Sequence, residues 1–107
     1  MSLVMIRKSS YRYETLQPLV FAMLDRFGGR NLSARSRVLI KPNLMTYAAP
    51  EQALLTHPLV IKAVAQYVLE RGARPLIADS PALGSFGRIL QESGTSEALA
   101  PLNVECR

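Results

Sequence analysis

The chain reads as an α/β protein, a β-α-β-α-β-α-β three-layer sandwich with a mainly parallel sheet. Three observations predict this. Two short apolar runs, Val38-Leu39-Ile40 and Pro75 to Ala78, have no polar break, as expected of parallel strands covered by helices on both faces. Around them, apolar residues recur at the three-and-four spacing of helices with one buried face. Each run also stops at a polar cluster containing proline, Lys41-Pro42-Asn43 after the first and Asp79-Ser80-Pro81 after the second. Alternation of this kind gives a parallel sheet with right-handed crossovers.

In chain order, Leu3 to Ile6 is a short apolar run closed by Arg7 and Lys8, and reads as a first strand. A helix follows, with Thr15 as its expected N-cap and Pro18 in its first turn. Its buried stripe is Leu16, Leu19, Val20, Met23, Leu24 and Phe27, and Gly28-Gly29 ends it. Val38 to Ile40 is the expected central strand; proline cannot donate to a ladder, so the strand stops at Pro42. A loop from Leu44 to Leu55 shows no periodicity, and loops of that length are often functional. Thr56 is expected to cap the second helix, with Pro58 in its first turn and Val60, Ile61, Val64, Ala65 and Val68 as its stripe. That helix closes at Glu70-Arg71-Gly72. After the strand at Pro75 to Ala78, the turn Gly84-Ser85-Phe86-Gly87 opens a short helix through Glu92. Thr95 caps one more turn, and Val104 opens a fourth strand at which the chain stops. A chain stopping there suggests truncation at the C-terminus, with residues 1–107 a single α/β domain from the N-terminal part of a longer protein.

Composition narrows the function classes. At 107 residues with 49% apolar side chains, the chain is long enough for one folded domain. No apolar run approaches the ~20 residues of a membrane span, and the N-terminus lacks the apolar core of a signal peptide, so a cytoplasmic protein is expected. The one cysteine, Cys106, excludes an internal disulfide and any multi-cysteine metal cluster within these residues. The net charge is +5, and Arg26, Arg30, Arg35, Arg37 and Lys41 fall in one short stretch with a single acid, Asp25. Such a stretch suits an electropositive rim, but Phe27 is its one aromatic residue and no nucleic-acid motif is present. A solvated connector, its arginines lying over apolar surface, is the ordinary explanation, and nucleic acid is disfavoured.

The residues with chemistry collect at one edge. In a parallel sheet the carboxyl ends of the strands and the N-termini of the following helices share an edge, where ligands bind in open α/β folds. Lys41, Asn43, Thr56, His57, Asp79 and Ser80 are therefore candidate ligand-binding residues, for a small anionic metabolite among others. Lys41 would be an anion anchor, or an ordinary strand-end lysine in water. His57, in the first helical turn, feels the positive end of the dipole, which disfavours its protonation and leaves it to act as a donor, a base or a metal ligand, or simply to pack on Tyr47. Asp79 most simply caps the turn that follows it. Ser80 lacks the flanking glycines of a nucleophile elbow, which excludes that role. Gly84, Ser85 and Gly87 form a weaker candidate anion loop, matching neither a P-loop nor a dinucleotide fingerprint. No metal site is expected.

Three blocks taken together, Val38-Leu39-Ile40-Lys41-Pro42-Asn43-Leu44, Thr56-His57-Pro58 with Ala63-Val64, and Gly72-Ala73 with Ile77-Ala78-Asp79-Ser80-Pro81, resemble the domain-of-unknown-function family 362. The resemblance implies a bacterial or archaeal protein of greater length, often with a C-terminal ferredoxin-like iron–sulfur module. A 4Fe-4S cluster would then belong to that missing part, which would also be this segment's partner. No cofactor falls on this chain. The alternative is a structural segment that packs on a partner domain or subunit, including a homodimer formed through an exposed sheet edge.

Overall fold

The computed structural model describes every residue except 1, 45, 46, 82 and 83. Helix α1 spans Tyr13–Arg26, strand β1 Arg37–Ile40, helix α2 Pro58–Glu70, strand β2 Arg74–Ile77, helices α3 and α4 Phe86–Glu92 and Thr95–Leu99, and strand β3 Glu105–Cys106. All strand pairs are parallel, in the order β1-β2-β3. The α/β class and the parallel sheet are as the sequence predicts.

Register explains the core. Val38 pairs with Pro75 and Ile40 with Ile77, while Ile77 pairs with Cys106. Residues paired in this way share a face, and side chains alternate faces along a strand. Ile40, Ile77 and Cys106 therefore line one face, where they meet Ile61 and Ala65 of α2, Ile89 and Leu90 of α3, and Leu99 of α4. Ile61, Ile77 and Ile89 are almost fully buried. Helix α1 lies mainly on α2. The Tyr67 hydroxyl donates to Asp25 Oδ1 at 2.5 Å, and Phe21 meets the Tyr67 ring edge-on at 5.1 Å. Tyr13 is bonded through its hydroxyl to Gln66. The layers thus run sheet, then α2 with α3 and α4, then α1.

Several expectations are corrected. Leu3 to Ile6 forms no strand; Val4 and Ile6 stay 76% and 81% exposed, because no sheet edge pairs with this segment. The strand at 37–40 is an edge strand, and β2 is central. Its run of apolar residues does not mean burial on both sides, since Leu39 is 62% exposed. Among the described residues, no helix covers that second face. Helix α1 starts two residues before Thr15, after Arg12, so Pro18 sits inside the helix and removes the bond its N–H would make to Glu14. Phe27 falls beyond the helix end and is exposed rather than part of the stripe. Helix α2 is capped by His57, not Thr56.

Candidate functional site

At the carboxyl edge, β1 and β2 deliver Lys41 and Asp79 side by side. The ladder continues one step past the strands, with the Ala78 N–H on the Ile40 carbonyl at 3.0 Å. That step fixes the two strand ends, and Lys41 Nζ lies 3.2 Å from Asp79 Oδ1. Asp79 Oδ2 accepts the Leu44 N–H at 3.0 Å, so one carboxylate holds both the lysine and the start of the next loop. Burial pushes the Asp79 carboxyl up, but the Leu44 N–H, Lys41 and the Ser80 N–H together outweigh it and keep the group below its ordinary value. Asp79 is 9% exposed and Lys41 67%, so the lysine keeps donors toward water.

Asn43 and Thr56 do other work. The Asn43 N–H donates to Thr56 Oγ1 at 2.9 Å, and the Thr56 N–H returns a bond to the Asn43 carbonyl at 3.0 Å. Asn43 Nδ2 also donates to the Leu54 carbonyl at 3.4 Å. These bonds close the base of the loop between β1 and α2. His57 Nδ1 accepts the Leu59 N–H at 3.1 Å, satisfying one of the free donors at the start of α2. Its ring stacks on Tyr11, with centroids 3.7 Å apart, rather than on Tyr47. Burial lowers the His57 pKa, with Glu51 acting the other way, so the neutral ring that capping requires is favoured.

The six candidates therefore do not converge on one rim. Lys41, Asp79 and Ser80 share a shallow hollow of about 330 Å³ with Leu39, Ala78 and Arg107. Thr56 and His57 line a separate cavity of about 10 Å³. In the glycine-rich turn, Gly84 has φ of 81° and the Tyr47 ring occupies the place a side chain would need. The Ser85 N–H donates to the Tyr47 hydroxyl at 3.1 Å, and Ser85 Oγ accepts the Arg88 N–H at 3.3 Å. Ser85 is thus already engaged, and Gly87 lies within α3. The sequence reading missed Arg107 and Tyr11. Arg107 follows β3 as Lys41 follows β1, a positional signal that only a settled strand order makes useful; Tyr11 carried none.

No three His, Cys, Asp or Glu side chains cluster as metal ligands among the described residues. A four-iron cluster needs several thiolates, whereas Cys106 is the chain's single cysteine. Burial, with Glu105 beside it, pushes that thiol's pKa up. The residues present do not fit an iron–sulfur cluster. No helix among the described residues is long and apolar enough to cross a membrane.

Fold and edge together define a parallel α/β unit whose strand-end lysine is held by a neighbouring strand-end aspartate. Residues 38–107 match the family described as Domain of unknown function (DUF362), and the chain belongs to that family. It is 35% identical over 105 residues to the Thylakoid-associated protein sll1697 of Synechocystis sp. (strain ATCC 27184 / PCC 6803 / Kazusa), covering 96% of this chain. The chain spans about a third of that relative's length. No solved structure matches.

Proposed function

We propose that the chain is the N-terminal, anion-binding portion of a longer, iron–sulfur-associated redox protein, and that its ligand is a small anionic metabolite held by Lys41, Ser80 and Arg107. The observation that carries this reading is the hollow of about 330 Å³ at the carboxyl edge of the sheet, where strand-end groups from β1, β2 and β3 meet. Asp79 positions the lysine there and, with its own oxygens taken by Leu44 and Lys41, leaves the hollow to the donors. Arg107 bonds Glu105 through Nε at 2.7 Å, and its other N–H groups are donors for an anion. The cluster and its ferredoxin-like module belong to polypeptide outside residues 1–107, and a C-x₂-C-x₂-C-x₃-C run encoded there is the check.

Melting in the presence of phosphate, nucleotides and small dicarboxylates tests the site. A ligand at a hundred times its dissociation constant raises stability by about 2.7 kcal/mol. The Lys41→Ala chain, which loses a largely exposed side chain and its ion pair with Asp79, should still melt cooperatively, at a somewhat lower temperature, and lose the shift. No shift with any of these anions, or a shift that survives Lys41→Ala, overturns the reading. A second reading, an interaction segment that binds polypeptide, is favoured by one observation: the uncovered face of the sheet.

A further inference from the structure

All-parallel sheets are found almost only with both faces covered, because their strands lack a polar side to offer water. Here one face is bare. Arg37 and Leu39 of β1, Arg74 and Leu76 of β2, and Glu105 and Arg107 of and after β3 line a hollow of about 340 Å³ on it. Register makes the pattern specific: Arg37 is paired with Arg74, and Leu39 with Leu76, which is itself paired with Glu105. Two like charges directly opposite each other on neighbouring strands are destabilising unless something neutralises them. Among the described residues neither Arg37 nor Arg74 has an ion-pair partner, whereas Lys41 and Arg107 are paired with Asp79 and Glu105. The face is thus an apolar strip with an uncompensated cationic end at the amino ends of the strands.

We propose that this face docks an amphipathic helix of a polypeptide outside residues 1–107, its apolar stripe on Leu39 and Leu76 and carboxylates from its flank on Arg37 and Arg74. Width argues for a helix: the span from β1 to β3 is about 10 Å at the usual strand spacing, one helix diameter. Charge argues for acid on its flank. A second copy of this chain is disfavoured by the same charge, since it would bring the Arg37–Arg74 pair against an identical pair. A lipid surface is disfavoured by shape, since the face is a hollow of about 340 Å³ rather than a protruding apolar patch. The site adjoins the proposed anion hollow and shares Leu39 and Arg107 with it, but its cationic end, Arg37 and Arg74, lies at the opposite ends of the strands from Ser80.

The test uses two synthetic helices of about 18 residues, roughly 27 Å long, with one leucine stripe flanked by glutamates in the first and by lysines in the second. Their binding to the whole chain is read by fluorescence anisotropy. The glutamate helix should bind at least about ten-fold more tightly, a difference of about 1.4 kcal/mol. The Arg37→Glu/Arg74→Glu chain should invert the preference, and Leu39→Ser should weaken both helices while leaving the circular dichroism melt unchanged. Equal binding of the two helices overturns the proposal, as does a preference that survives the double charge reversal. Sedimentation showing self-association that Leu39→Ser abolishes would assign the face to a second copy. Tighter binding to phosphatidylglycerol vesicles than to either helix, lost in the double variant, would assign it to a lipid surface. Either result overturns the helix.

Discussion

The two faces of the sheet are built from the same residues of sequence read one position apart, and they behave oppositely. Ile40, Ile77 and Cys106 point into the helices, and Ile77 has no exposed surface. Leu39, one residue before Ile40, is 62% exposed. Both strands look uniformly apolar in sequence, so hydrophobicity alone does not distinguish the faces. The difference comes from which side α2 returns to after β1. The crossover from β1 to β2 places α2 on one side, and among the described residues no helix covers the other.

A pair of matched truncations separates the two faces most strongly. Ile77→Ala should cost about 3 kcal/mol by the loss of buried methyl groups and the cavity left behind, measured by urea denaturation. Leu39→Ala, made on the neighbouring edge strand, should change stability by less than about 0.5 kcal/mol. If the two cost the same, the second face is not bare in solution. Between these extremes lies the edge that both faces share. Asp79→Ala leaves the Leu44 N–H without its acceptor and Lys41 without its partner, and should cost about 2 kcal/mol. Asp79→Asn, which keeps an acceptor oxygen, should cost less; equal losses would mean that charge rather than hydrogen bonding holds the loop.

The smallest expected effect concerns pH. Because the folded His57 pKa lies below its ordinary value, the unfolded chain takes up the proton first. Stability held above about pH 6.5 therefore declines as the pH falls through the lower folded value, as a protonated Nδ1 can no longer accept the Leu59 N–H. His57→Asn keeps a good N-cap without a titrating group, so it should hold stability at pH 7 within about 0.5 kcal/mol and flatten the decline between pH 7 and 5. A slope equal to that of the unsubstituted chain would sink this account.

Much of the architecture was legible in the residues. The periodicity of Val60 to Val68 and the closure at Gly72 mark α2, and the runs at 38–40 and 75–78 mark two of the three strands within a residue. The N-caps were harder. Thr15 and Thr56 are good capping residues by type, but Arg12 and His57 hold those positions. Thr56 was unavailable to α2 because its hydroxyl is bound to the Asn43 backbone across the loop. The candidate site was half legible: Lys41, Asp79 and Ser80 meet as strand ends should, while Thr56 and His57 turn to a different cavity.

The residues alone were enough for α1, α2, the two longer strands and the parallel class of the sheet. These follow from spacing over a few residues and from where proline and glycine interrupt it. Only the tertiary structure decided that β2 is central, that Leu3 to Ile6 stays outside the sheet, and that Leu39 and Leu76 face away from the helices. Those outcomes depend on pairing between segments far apart in the chain. An apolar strand with no alternating polar residues records no preference about which of its faces the helices will cover.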